Sequence, residues 1–158
     1  EITWTFALYP GAKWHAKHRE VSNALNGLAC NITLDDDPSY YYVGRLSVKE
    51  YNRDGLLRQI TVTANCRPFK LKQGETEVTA SLTTAYKTIV LANDRKPVVP
   101  TITVTAETSL RWDGNTFTVS PGTHKILDIE FRDGLNELEA ATVSGTGGIT
   151  IVYQEGSL

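Results

Sequence analysis

The sequence contains no methionine and two cysteines, and it has no apolar run near the roughly 18 residues needed to cross a bilayer. Two cysteines exclude a disulfide-stapled scaffold. The missing bilayer-length run, and the absence of a basic, apolar, small-residue opening, give neither a membrane-spanning helix nor a signal peptide to read. A chain that opens on Glu1 without methionine is expected of an excised domain rather than a whole reading frame. Basic residues are also not in excess. Net charge is −2, and no Lys/Arg run or stripe suggests nucleic-acid binding through counterion release.

What is present is ordinary globular composition, 158 residues with 41% hydrophobic and 22% charged, enough for one medium domain or two small ones. Charge divides unevenly. Residues 1–74 carry ten Lys/Arg against seven Asp/Glu, whereas residues 75–158 carry six against eleven. Two distinct surfaces follow from that, but no partner.

Ile2 to Tyr9 alternates, with Ile2, Trp4, Phe6 and Leu8 in one phase, and predicts a half-buried strand stopped by Pro10-Gly11. The period then changes. Trp14, Val21 and Leu25 fall on one helical face between Ala12 and Asn26, and Gly27 follows as a C′ residue able to take positive φ. Strands are expected over Leu28–Leu34, Tyr40–Tyr51 and Leu56–Leu71. They are separated by the acidic turn Asp35-Asp36-Asp37-Pro38 and a hairpin loop Asn52-Arg53-Asp54-Gly55, and Pro68 marks an edge or bulge. The order is β-α-β-β-β.

Polar Lys72-Gln73-Gly74-Glu75 reads as a linker, giving domains 1–74 and 75–158. Beyond it no helical period appears. Short strands are expected over 78–82, 87–91, 101–105, 110–112, 116–119, 125–131, 138–143 and 149–153. A tight Asp113-Gly114-Asn115 connection and a Gly145–Gly148 loop lie between them. The fold class is therefore mainly β: an α+β first domain with one helix, then an antiparallel β-sandwich.

Cys30 shares a phase with Leu28, Ile32 and Leu34, and Cys66 with Ile60, Val62 and Ala64. Both read as buried free thiols packing as small hydrophobes. The alternative is a cross-strand disulfide, which needs Cα atoms about 4.4–6.8 Å apart.

His15 and His18 have helical metal-ligand spacing, but the sequence around them supplies no further ligands and His124 is remote, so exposed helix histidines are expected. Asp35-Asp36-Asp37 lacks the alternating pattern of a calcium loop and reads as a solvated turn. No nucleophile elbow, phosphate loop, dinucleotide fingerprint or zinc-protease motif occurs. Nor does the sequence place two carboxylates at a glycosidase separation. Catalytic, cofactor and metal residues are accordingly expected to be none.

Aromatic residues remain. Tyr40-Tyr41-Tyr42 puts rings on both faces of one strand. That suits an interface, where tyrosine offers apolar area with a polar tip, or else core on one side and ordinary exposure on the other. Trp112, beside its hairpin, either anchors the sandwich core or stacks on a sugar.

The segments Arg19-Glu-Val-Ser-Asn-Ala-Leu-Asn-Gly27, Asp35-Asp-Asp-Pro38, Tyr40-Tyr-Tyr-Val-Gly-Arg45 and Thr63-Ala-Asn-Cys-Arg-Pro-Phe-Lys70 resemble, in order and spacing, the distal tail protein of long-tailed, siphovirus-type bacteriophages and prophages of Gram-positive bacteria. Trp112-Asp-Gly-Asn-Thr-Phe-Thr-Val119, Gly134-Leu-Asn-Glu-Leu138 and Gly148-Ile-Thr-Ile-Val-Tyr-Gln-Glu-Gly156 resemble that family's C-terminal, galectin-like sandwich. The likeness spans nearly the whole chain, though the family's ring-forming domain begins with strands that precede Glu1.

The resemblance implies a non-enzymatic hub in the virion tail, assembled in the bacterial cytoplasm. It would self-associate as a hexameric ring and join the tail tube to the baseplate, the tail-associated lysin and receptor-binding proteins. It also implies free Cys30 and Cys66, no cofactor, no nucleic acid and no membrane. A carbohydrate-binding module touching host cell-wall polysaccharide through the second domain is the alternative.

Overall fold

The computed structural model describes residues 1–8, 13–49, 52–54 and 57–158. Expectations at Tyr9, Pro10-Gly11, Tyr51, Gly55 and Leu56 lie outside the described residues. The protein is mainly β and divides into two compact units, residues 1–70 and 71–158.

The first unit contains β1 (Ile2–Leu8), α1 (Trp14–Leu25), β2 (Ala29–Leu34), β3 (Asp37–Val48), β4 (Asn52–Asp54) and β5 (Leu57–Cys66), and β6 (Lys70–Lys72) begins at its last residue. β5 pairs antiparallel with β1 along one edge and with β3 and β4 along the other, while β2 adds to β3. Register aligns Trp4, Val62 and Val48 in one row, with Phe6 opposite Ile60 in another. Helix α1 lies against this face because its apolar stripe, Trp14, Val21 and Leu25, meets Ile60 and Val62. The helix ends as anticipated. Gly27 takes φ +84, and the Asn26 side chain accepts the Val48 backbone N–H at 3.1 Å.

Several local expectations change. Phe6 is 53% exposed, because the side chains of α1 cover Trp4 and leave an apolar recess lined by Phe6, Val21, Leu25, Ile60 and Val62. The acidic turn is shorter than expected. Asp37-Pro38 opens β3, and Asp37 binds Lys70 at 2.7 Å. Asn52–Asp54 forms a strand rather than a loop, since it pairs with Leu57–Gln59. The long strand through Leu71 stops at Cys66, and Arg67-Pro68-Phe69 separates β5 from β6; proline lacks the N–H that a ladder needs.

The second unit holds β7 (Thr76–Leu82), β8 (Lys87–Asn93), β9 (Thr101–Val104), β10 (Thr108–Trp112), β11 (Asn115–Val119), β12 (Gly122–His124), β13 (Gly134–Thr142), β14 (Gly147–Tyr153) and β15 (Gly156–Ser157). Two antiparallel four-stranded sheets form, in the orders β11-β10-β13-β8 and β12-β9-β14-β7. Alternate residues point inward. Leu91, Leu110, Leu138 and Ala140 from one sheet meet Ile102, Ile149, Ile151 and Tyr153 from the other in a single cluster.

Residues 72–75 are not a free linker. Lys72 lies in β6 and binds Glu155 at 2.7 Å, and Gln154 donates to the carbonyls of Lys72 at 2.7 Å and Gly74 at 3.0 Å. The strand expected over Lys125–Phe131 is replaced by an irregular connection. Ile129 N–H bonds back to Ile126, and Phe131 makes one isolated bridge with Val98, while Ile129 and Phe131 still fill the core. The glycine loop is also shorter than expected. Gly147 and Gly148 belong to β14, where a Cβ on Gly147 would stand 2.9 Å from that of Ala106.

Candidate functional site

The tyrosine run lies on β3, with Tyr40 and Tyr42 in one phase and Tyr41 in the other, and all three rings are half-buried. Tyr42 pairs with Ile32, and the Lys70 ammonium stands 4.7 Å from the centre of the Tyr40 ring. The Asp37 carboxylate, through its hydrogen bond with Lys70, holds that ammonium above its usual pKa.

The cysteines are free and half-buried rather than fully buried. Burial, foremost, pushes the Cys66 thiol up. His18 packs on Trp14 with ring centres 5.8 Å apart, and His15 is exposed. His124 lies in the second unit against the Ser120 carbonyl, at 2.7 Å. Among the described residues, no three His, Cys, Asp or Glu side chains gather as a metal site. No described helix is long and apolar enough to cross a membrane.

Trp112 belongs to the second unit, so the structure does not assemble it and the tyrosines into one site within a unit. It shares the inward phase of Leu110 but sits at the end of β10, where the sandwich opens. Its ring packs on Phe131 at 5.4 Å between centres, and Phe131 stands edge-on to Tyr153 at 5.1 Å. Asp113 and Gly114 then turn the chain with φ of +47° and +80°, the two positive values that a two-residue type I′ hairpin demands.

Trp112 is half-buried, and it also lines two shallow recesses of about 310 and 290 Å³. Asp113 and Glu137 border both. Arg132, Leu135 and Asn136 complete one, and Arg111, Thr116 and Glu139 contribute to the other. Core anchor and exposed ring were alternatives in the sequence; the observed ring has both environments.

The polar neighbours come from β13 and the turn before it. Asn136 is 8% exposed and holds Arg132 at both backbone atoms, accepting its N–H at 2.9 Å and donating to its carbonyl at 2.8 Å. Asn93 adds donations to the carbonyls of Lys96 at 2.9 Å and Phe131 at 3.3 Å. Arg111 stacks 3.7 Å over the Tyr86 ring and lies 3.9 Å from Glu139. Nothing in the sequence joins Arg132, Asn136 and Glu137 to Trp112: Asn136 and Glu137 fall in the Gly134–Leu138 segment, singled out for its family likeness alone, and Asn136 is also a polar residue in phase with Leu138 and Ala140.

No family model matches the chain, and no curated protein matches it. Among solved structures, the protein is similar to the Dit (gp 19.1) protein of phage SPP1, described as a paradigm of the hub adsorption apparatus in phages infecting Gram-positive hosts. Identity is 18%, the TM-score is 0.59, and the match covers 99% of this chain and 78% of that one. This likeness establishes a common fold. A de novo designed double-stranded β-helix matches 52% of the chain at 14% identity, with a TM-score of 0.36.

Proposed function

We propose that the protein is a structural component of a long-tailed phage or prophage virion, a distal tail hub that joins the tail tube to the baseplate. Its partners in this reading are further copies of itself in a hexameric ring, the tail-associated lysin and receptor-binding proteins. The observation that carries the proposal is the extent of the fold likeness. It runs through 99% of the chain, across the helix-bearing sheet unit and the sandwich in one order, and so exceeds the sharing of a common β-sandwich. The sequence segments that resemble the distal tail family support the same reading from an independent direction.

The domains expected at 1–74 and 75–158 take on roles here: the first belongs to the ring and the second, galectin-like one faces outward. Tyr40, Tyr41 and Tyr42 offer half-buried rings for an interface. Antibodies raised against the whole chain should decorate the tail tip in electron micrographs of particles from a strain carrying the gene. Labelling of the capsid, labelling along the tube, or unlabelled intact tails would reject the role.

A further inference from the structure

We propose that Cys30 and Cys66 form a two-coordinate thiolate site for a soft monovalent metal ion, Cu(I) or Ag(I), which bridges them over Gly44. This site is independent of the tail-hub reading and goes beyond it.

Gly44 of β3 faces Cys30 of β2 on one side and Cys66 of β5 on the other, so the three residues form one row across three strands. Residues directly opposite each other on neighbouring strands point to the same face, and both thiols stand on the face that carries α1. Glycine leaves the middle of the row without a side chain. Cys66 already leans into that gap, because a Cβ on Gly44 would stand 3.1 Å from its sulfur. Helix α1 covers Ile60 and Val62 on this face but leaves both cysteines half-buried and within reach of solvent.

The width of the row selects what can join the sulfurs. A disulfide spans at most about 6.8 Å between Cα atoms with about 2 Å between sulfurs, so two facing cysteine side chains cover roughly 4.8 Å between them. Two strand spacings are about 9.5 Å, which leaves about 4.7 Å between the sulfurs at closest approach. No S–S bond closes that gap. Two metal–thiolate bonds of about 2.3 Å, placed end to end, fill it.

Ligand chemistry narrows the choice of ion. Zinc takes four ligands, and among the described residues no third His, Cys, Asp or Glu joins the pair. Calcium and magnesium require oxygen. Thiolates are soft and select Cu(I), and by the same softness Ag(I); both ions accept two ligands in line. The surroundings are apolar as well. Ala64 is buried on the same face, and Ile32 Cδ1 lies 3.2 Å from where a Gly44 Cβ would be. Binding breaks two S–H bonds and forms two S–metal bonds, with both protons leaving to solvent and the metal keeping its oxidation state. One of those protons is the one that Cys66 directs at the Ala64 carbonyl across 3.8 Å. The ion ties β2 to β5, two strands that do not pair with each other.

The test titrates Cu(I), held in solution by acetonitrile, into the reduced whole chain without oxygen and against a coloured Cu(I) chelator. One ion should bind per chain without changing its state of association, and X-ray absorption should show two sulfur neighbours and no nitrogen or oxygen. Because the row exists only in the folded chain, the ion should raise the melting temperature. Cys30→Ser and Cys66→Ser should each weaken binding about a hundredfold or more, and Gly44→Ala, which puts a Cβ between the sulfurs, about tenfold or more. Ag(I) should displace Cu(I), whereas Zn(II) should not. The proposal is overturned if each thiol binds its own ion, if copper bridges two chains, or if nitrogen or oxygen enters the shell. Displacement by Zn(II), or wild-type affinity in any of the three variants, would overturn it equally.

Discussion

Cys30 and Cys66 lie opposite the same residue, Gly44, from the two sides of β3. Each cysteine is one strand from the glycine, so they are two strand spacings apart, about 9.5 Å between backbones. A disulfide tolerates roughly 6.8 Å between Cα atoms, and the cross-strand bridge is therefore excluded in this register. Gly44 is buried, and its missing side chain makes room for its neighbours. A Cβ there would stand 3.1 Å from the Cys66 sulfur and 3.2 Å from Ile32 Cδ1.

Mass measurement after mild oxidation should therefore find no intramolecular bridge, and alkylation should count two thiols. Because burial raises the Cys66 pKa, its thiolate should form at higher pH than an ordinary cysteine's, and its alkylation should lag that of a small thiol near pH 8. Gly44→Ala should cost about 1–3 kcal/mol by overpacking, read from urea unfolding. A bridged monomer, or a Gly44→Ala curve overlaying the wild type, would contradict the register.

Tyr153 gives the fold an alkaline limit. Its ring is buried in the sandwich and its hydroxyl donates to the Ala92 carbonyl. Burial, and then the negative charge of Glu155, raise its pKa above the ordinary value. A phenol whose folded pKa is raised stabilises the fold fully below its unfolded pKa of about 10, and that contribution is lost as pH climbs through the folded value. Thermal stability should decline above about pH 10, and Tyr153→Phe should remove part of that slope while costing about 1 kcal/mol at neutral pH for the lost hydrogen bond. Identical slopes would show that other groups set the limit.

Trp112 should contribute to stability as well as to any ligand. Trp112→Ala removes the packing on Phe131 but vacates a half-buried position, so about 2–3 kcal/mol is expected, below the ~3–5 kcal/mol of a fully enclosed aromatic. Trp112→Phe should retain most of that packing. Chemical denaturation distinguishes the cases, and an alanine variant as stable as wild type would mean that the ring rests on the surface without supporting the core.

Period and punctuation in the sequence determined a good part of this protein. A period of two in Ile60, Val62 and Ala64 marks the buried face of β5, because alternate side chains on a strand point to one side. Helical spacing of Trp14, Val21 and Leu25, closed by Gly27, marks α1 because steps of seven and four residues, about two turns and one, keep those residues on one stripe. Asp113-Gly114 marks its hairpin, since few other residues accept two positive φ values. These are local rules, and they are legible one segment at a time.

What tertiary structure decided is which segments become neighbours. Nothing in the local pattern at Cys30 or Cys66 places Gly44 between them; strand order does that. Lys125–Phe131 alternates like a strand, yet closure of the sandwich uses Ile129 and Phe131 as a plug, and core filling outweighs β propensity there. Phe6 follows a buried phase but remains exposed, because the extent of the helix and not the strand's own pattern limits how much of that face is covered. Around Trp112 the same reason holds. The ring was visible as a candidate, whereas Arg132, Asn136 and Glu137 reach it only through pairing of β10 with β13, a contact that no spacing along the chain encodes.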